Sequence, residues 1–255
     1  MKVSIITVTY NAEHTLQRTL DSVGCQTNAY VEHIIMDGKS HDRTVEIARD
    51  YQRKMKDNLC FDVIVVSEPD RGLYDAMNKA LKLATGDFIC FLNAGDKLPC
   101  STTLRDTLYN NIEGCESNVG VFYGYTAIVD DEGNVLHPRR LSPPEQLTWR
   151  SFKDGMLVCH QAFYVNRHIA QEYDLHYRFS ADFDWCIRCM KEGEQRGMRN
   201  VGTHQVIAHY LSEGMTTANH KASLKERFRI MCKHYGALTT VFQHAWFVVR
   251  AIIKK

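Results

Sequence analysis

Hydrophobic positions in the first hundred residues alternate between two periods. Val3-Ser4-Ile5-Ile6-Thr7-Val8-Thr9 is a β-branched, apolar run without an amphipathic helical period, so it predicts a buried strand ending at Tyr10-Asn11. Ala12 to Val23 then predicts a helix with Leu16, Leu20 and Val23 on one face. A second strand, Val31 to Met36, ends at Asp37-Gly38. The following helix has Asp42 near its start and Val45, Ile47 and Ala48 inside. A third strand, Phe61 to Val66, runs out at Ser67-Glu68-Pro69-Asp70. In the next helix Leu73, Met77, Ala80, Leu81 and Ala84 trace one buried stripe, and a fourth strand, Phe88 to Leu92, runs straight into Asn93-Ala94-Gly95-Asp96.

Strands alternating with helices predict a mostly parallel sheet with right-handed crossovers, an α/β fold of Rossmann-like type flanked by helices. Ligands of such sheets bind beyond the carboxyl ends of the strands. Tyr10-Asn11, Asp37-Gly38, Asp70-Arg71 and Asn93-Ala94-Gly95-Asp96 therefore gather on one edge. A turn alone accounts for the last of these, because Gly accepts positive φ and Asn and Asp bond their own backbone. The convergence of four polar clusters makes the edge a candidate site.

After residue 100 the texture changes. A helix from Thr103 to Ile112, a strand from Val119 to Tyr125 and a hairpin turn over Asp130-Asp131-Glu132-Gly133-Asn134 are expected. Pro138, Pro143 and Pro144 mark an irregular connection. Cys159 to Val165 reads as a strand, Ala181 to Gly193 as a helix and Val206 to Leu211 as a strand. Two helices follow, near 219–235 and 238–253. The organisation expected is one domain over residues 1–215, with halves 1–98 and 99–215, and a C-terminal helical tail over 216–255.

Of the 255 residues 44% are hydrophobic, enough for a sizeable core, and 31 Lys plus Arg stand against 30 Asp plus Glu. The total indicates no groove for nucleic acid. Nine cysteines, read as scattered singly, suit a reducing compartment better than a disulfide scaffold. No apolar run approaches the ~20 residues of a membrane span, and the N-terminus lacks signal-peptide character. The expectation is a cytoplasmic protein. Its closing segment, AWFVVRAIIKK, mixes aromatic, aliphatic and basic residues; it suits either a packed last helix or peripheral contact with the inner face of a membrane.

No GxGxxG follows the first strand and no GxxxxGK[ST] loop exists, which argues against dinucleotide dehydrogenases and P-loop enzymes. Acids, amides, an Arg and a Tyr line the edge instead. Carboxylates can face a diphosphate only with a cation between them, so Asp96 is the candidate ligand of Mn²⁺ or Mg²⁺. Tyr10 can stack on a base, Asp37 can accept hydrogen bonds from a base or ribose, and Arg71 can neutralise phosphate charge. Asn93 can hydrogen-bond a ribose or sugar, and Gly95 permits close approach to the diphosphate.

VSIITVTYNAEHTLQRTLDSV, IIMDGKSHDRT and SEPDRGLYDAMNKALKLATGDFICFLNAGD, in that order across residues 1–98, resemble the donor-binding half of family 2 glycosyltransferases, of the type that builds bacterial polysaccharides such as colanic acid. The resemblance implies a GT-A fold and inverting transfer of a sugar from a nucleotide-diphosphate sugar, a UDP-sugar favoured, with a divalent metal. It implies that Val8, through its backbone, and Tyr10 line the nucleoside pocket, that Asp37 binds the uracil or other base, that Asn11 is among the donor-binding residues and that Arg71 and Asp75 border the donor. Asn93-Ala94-Gly95-Asp96 takes the place of the family's DxD-type motif, with Asn93 and Gly95 where acids commonly stand.

Inverting transfer needs a base opposite the leaving diphosphate. Ser180-Ala181-Asp182-Phe183-Asp184-Trp185 opens a helix, with Ser180 a suitable N-cap. Asp182 and Asp184 lie about 200° apart around a helix, so they cannot share one cleft. Asp184 has Arg188 four residues on as a surface partner, leaving Asp182 as the candidate base, in the position of the family's base motif. His160, Gln161, Trp185 and His209 are candidates for the acceptor side, and Glu213-Gly214-Met215-Thr216 for a closing loop. The acceptor expected is a glycan or lipid-linked saccharide. A sugar nucleotidyltransferase and a noncatalytic sugar-nucleotide-binding protein are the alternatives.

Overall fold

The protein is described here by a computed structural model covering residues 1–110, 118–212 and 220–253. Strands β1 (Lys2–Thr9), β2 (Tyr30–Asp37), β3 (Phe61–Ser67) and β4 (Phe88–Phe91) pair in parallel in the order β3-β2-β1-β4. Helices α1 (Leu16–Gly24), α2 (Thr44–Met55) and α3 (Leu73–Leu83) supply the crossovers. These strands read as continuous apolar runs because helices cover both faces of the sheet. Leu16, Leu20, Ala48, Tyr51 and Met55 of α1 and α2 pack on Ile35, Val63 and Val65, while Met77 and Ala80 of α3 belong to a larger core on the other face. Each fully buried leucine such as Leu16 and Leu20 contributes about 1.5–3 kcal/mol relative to an exposed one.

The second half extends the same eight-stranded sheet. β7 (Phe163–Asn166) lies antiparallel to β4, β5 (Val119–Val129) lies antiparallel to β7, and β6 (Val135–Pro138) returns along β5 through the expected turn at Asp130–Asn134. β8 (Arg199–Leu211) runs parallel to β5 on its other edge. α4 (Thr103–Leu108) precedes β5, and α5 (Ala181–Gln195) packs Phe183, Trp185, Ile187 and Met190 into the larger core. The tail comprises α6 (His220–Tyr235) and α7 (Ala237–Ile253).

Several sequence expectations change. Cys159–Val165 is not a continuous strand: residues His160–Ala162 form a tight 3₁₀ turn before β7, which turns two polar side chains toward the strand edge. β8 begins seven residues earlier than the pattern suggested, because its first residues, which carry no clear apolar alternation, are held by pairing with β5. Ile112 and the Glu213–Thr216 loop lie outside the described residues. Cys186 and Cys189 are a C-x-x-C pair and not isolated residues, yet both thiols are free, buried and raised in pKa by that burial, which leaves them protonated and inert.

Candidate active site

Three strand ends meet as the sheet topology requires. Tyr10, just past β1, is 62% exposed, while Val8 behind it is buried. Asn11 takes a positive φ of 49° and accepts a bond from the His41 amide at 3.0 Å, while its own amide donates to Ser40 Oγ at 2.8 Å. The loops after β1 and β2 are thereby tied together. A Cβ on Gly38 would meet the Asp70 carboxylate, which would have to swing aside, and would lie 3.5 Å from the Tyr10 ring, so the three loops converge closely at this glycine. Arg71 stands exposed beyond β3, its guanidinium 3.0 Å from Asp75 Oδ1, while its amide donates to Asp75 Oδ2. Burial works against the Asp75 charge, but the Arg71 bonds outweigh it and hold that carboxyl below its usual range.

Asp37 stands at the expected strand end but turns inward. It is fully buried, and its carboxylate accepts bonds from Thr9 Oγ1 (3.2 Å), Ser67 Oγ (2.7 Å), the Ser40 amide (3.0 Å) and the Ser40 hydroxyl. In this geometry it joins the ends of β1, β2 and β3; the expectation of a carboxylate open to a base gives way to one already saturated by donors.

The Asn93–Asp96 segment is a tight turn, with the Asp96 amide bonded to the Asn93 carbonyl at 3.0 Å. Thr19 of α1 holds it from one side, accepting from the Gly95 amide (2.9 Å) and donating to the Asp96 carbonyl (2.6 Å). Gly95 has φ +100°, and a Cβ there would lie 2.9 Å from Leu211. What presses on Gly95 is therefore Leu211 and Thr15, and the close approach expected for a diphosphate is taken by protein. Ala94 beside it is half-buried. Asn93 Oδ1 is buried without a hydrogen-bond partner, an acceptor suited to a ligand hydroxyl.

Asp96 is 4% exposed. Gln161 Nε2 donates to one oxygen at 2.7 Å and the Leu211 amide to the other at 3.0 Å. Burial pushes its pKa up to about 6, with Gln161 and Leu211 opposing. Each oxygen keeps a free lone pair, so the carboxylate can still serve a cation. Among the described residues no group of three or more His, Cys, Asp or Glu could hold a metal. The donor set therefore fits Mn²⁺ or Mg²⁺ only where phosphate oxygens complete the coordination.

Asp182 opens α5 and remains half-buried. Tyr74 of α3 donates to its Oδ1 at 3.3 Å, and His160 Nδ1 faces its Oδ2 at 3.4 Å. The other imidazole nitrogen, Nε2, accepts from the Asn93 amide at 3.3 Å, which leaves the ring hydrogen on Nδ1, directed at Asp182. Burial raises the Asp182 pKa, but the hydrogen bond from His160, with Arg227 nearby, outweighs it and the net direction is down. Consecutive residues thus connect the two sides of the edge, His160 to Asp182 and Gln161 to Asp96.

The remaining candidates are placed differently from expectation. Trp185 is fully buried, stacked on Tyr173 and edge-on to Phe91 and Phe163, so it is a core residue and offers no acceptor contact. Gln161 is also fully buried; it holds Asp96. His209 bridges to Lys97 through the backbone, its Nδ1 is buried without a partner, and burial followed by the Lys97 and Arg18 charges lowers its pKa. Ser180 does not cap α5, because its hydroxyl pairs with Ser223 of α6 at 2.9 Å. Asp184 is structural as expected, but buried and not on the surface: Arg188 is joined by Lys233 and His234 from α6. Glu226 of the same helix accepts from the amides of Arg178, Phe179 and Ser180 at 2.8–3.0 Å, bracing the start of the helix that carries Asp182. Sequence reasoning missed Tyr74 and Glu226; the place of Tyr74 in the first turn of α3, just past the Asp70-Arg71 cluster, was the available signal for the first.

The profile of Glycosyl transferase family 2 matches residues 4–173. The chain belongs to that family. A PGL/p-HBAD biosynthesis glycosyltransferase of Mycobacterium tuberculosis is 31% identical over 216 residues, spanning 81% of this chain and 75% of the relative. Among solved structures, S. aureus TarS 1-349 in complex with UDP-GlcNAc shares the fold with a TM-score of 0.66 at 20% identity, over 91% of this chain; the chain spans 64% of that protein. Glucosyl-3-phosphoglycerate synthase from Mycobacterium tuberculosis, solved with Mn²⁺ and UDP, gives a TM-score of 0.58 at 14% identity over 89% of this chain and 79% of its own. The GT-A fold and glycosyltransferase activity expected from residues 1–98 are those of this family. No helix among the described residues is long and apolar enough to cross a membrane.

Proposed function

We propose that this glycosyltransferase moves a sugar from a nucleotide-diphosphate sugar, with UDP-sugars favoured, to a hydroxyl of a glycan or lipid-linked saccharide, with inversion at the anomeric carbon. The observation that carries the reading is one imidazole touching both halves of the site: Asn93 on Nε2 and Asp182 on Nδ1. Tyr10 stacks on the base, and Arg71, freely exposed, reaches the phosphates. Asn93 Oδ1 takes a donor hydroxyl. Asp182, kept ionised by His160, accepts the proton of the acceptor hydroxyl as its oxygen attacks the anomeric carbon, and the bond to the diphosphate breaks with its electron pair leaving on phosphate. Asp96, together with the donor phosphates, would hold a divalent cation, which neutralises charge on that leaving group.

The donor structures support a nucleotide sugar, since the related proteins were solved with UDP-GlcNAc, with UDP and, in a Pyrobaculum calidifontis mannosyltransferase of the same fold, with GDP-Man and Mn²⁺. A thermal-shift panel of UDP- and GDP-sugars, with and without Mn²⁺, tests it. A donor at ~100 times its Kd adds roughly 2.7 kcal/mol to stability. Failure of every nucleotide sugar to shift the transition, with or without cation, contradicts the reading. Pyrophosphate release from a nucleoside triphosphate and a sugar phosphate would point to a nucleotidyltransferase instead, and binding without transfer to a noncatalytic protein.

A further inference from the structure

The last helix is turned inside out. In α7 the side chains set against the protein include Thr240, Gln243, His244 and Phe247. Gln243 Nε2 donates to Asp154, the Thr240 hydroxyl donates to the Gly236 carbonyl at 2.8 Å, and the His244 ring lies between Phe228 and Phe247. The opposite side carries Leu238, Val241, Phe242, Trp246 and Val249, which are 79, 55, 74, 53 and 43% exposed. At 3.6 residues per turn these five fall within an arc of about 140°. A helix on a protein surrounded by water normally presents the reverse, apolar inward and polar outward. A continuous stripe of exposed aliphatic and aromatic side chains marks an interaction surface.

Charge decides what covers it. Residues 220–255 hold eight Lys and Arg against a single Glu, in a chain whose overall totals are 31 and 30. Lys221, Lys225, Arg229 and Lys233 are exposed on α6, next in the chain to the stripe, and Arg250, Lys254 and Lys255 follow it in sequence. A second copy would bring an equally basic segment onto this face and be repelled. An anionic lipid surface complements both features: apolar side chains enter the boundary between headgroups and acyl chains, and the amines meet the phosphates. Phe242 and Trp246 are of the residue type that settles at such a boundary.

We propose that α7 docks this glycosyltransferase on an anionic membrane surface, lying in the plane of the interface with Leu238, Val241, Phe242, Trp246 and Val249 immersed. The proposal stands apart from the donor and base assignments. Its consequence for them is that an acceptor carried on a lipid is met in the plane of the membrane.

Cosedimentation of the full chain with vesicles tests it. The chain should bind vesicles of phosphatidylcholine and phosphatidylglycerol, and bind at least about tenfold more weakly to phosphatidylcholine alone or at high salt. The double variant Phe242→Ser/Trp246→Ser removes exposed side chains only, so it should keep its melting temperature and lose vesicle binding. Lys221→Glu/Lys225→Glu should weaken binding to anionic vesicles without touching the stripe. Undiminished binding by the serine variant overturns the proposal, as does failure of the native chain to bind anionic vesicles. A concentration-dependent dimer in sedimentation that the serine variant abolishes, with no vesicle binding, assigns the face to a second copy and equally overturns it.

Discussion

His160 Nδ1 lies 3.4 Å from Asp182 Oδ2, and the same ring accepts from Asn93 on its far side. Asn93 thus fixes the hydrogen of the imidazole that faces the candidate base. An aspartate at position 93 could accept but not donate, and would draw that hydrogen to Nε2 instead.

Replacing His160 by Ala tests whether this pair sets the ionisation of Asp182. Tyr74 from α3, His160 from the 3₁₀ turn, Arg227 from α6, Tyr210 from β8, and Cys159, Cys186 and Tyr173 surround or face the carboxylate. Burial raises its pKa, and His160 is the largest influence lowering it. A general base works ionised, so the acid limb of kcat/KM follows its pKa. In His160→Ala that limb should move to higher pH. Loss of activity with an unmoved limb would reduce His160 to a packing role.

Asp96 predicts a particular dependence of stability on pH. Its folded pKa of about 6 lies above the unfolded value, so the folded state binds the proton more tightly. Stability should therefore fall as pH rises from about 4 to about 6 and stay lower above that, by on the order of 3 kcal/mol from this group. Urea unfolding in EDTA across this range should show the slope, and Asp96→Asn should flatten it. UDP with Mn²⁺ should raise the melting temperature more at pH 7 than at pH 5, because a cation stabilises only the ionised carboxylate. An equal shift at both values would remove Asp96 from the cation site.

Glu226 closes three backbone amides ahead of α5 from a helix in the tail. Glu226→Ala leaves those donors without their acceptor, which should cost about 1–3 kcal/mol, read as a lowered urea midpoint. Activity should drop as well, since the same segment sets the position of Asp182. A variant as stable and active as the native chain would show the tail to be dispensable to the site.

Much of this arrangement was legible in the chain, for physical reasons that also mark where reading stopped. β1 to β4 announced themselves because strands buried on both faces are continuous β-branched runs, and strand ends then locate the cleft. Asp182 emerged from helical geometry together with the family motif. The direction in which a side chain points did not emerge: Asp37 is as polar in the sequence as Arg71, yet one is sealed by Thr9, Ser40 and Ser67 and the other is exposed. Trp185 and Gln161 owe their roles to partners far away in sequence, Phe91 and Asp96. Asp184 looked like a surface residue because its i+4 partner was visible, whereas Lys233 and His234, which share the carboxylate in the interior, arrive from α6.

The most direct test of the account compares the native chain with Asp182→Asn on whichever nucleotide sugar binds, following nucleoside diphosphate release at saturating saccharide acceptor alongside calorimetric affinity for that nucleotide. The account predicts turnover reduced by about 10²–10⁴-fold, with nucleotide affinity and melting temperature essentially unchanged and a native product of inverted anomeric configuration. Full turnover by Asp182→Asn, or a native product that retains the donor's configuration, would contradict it.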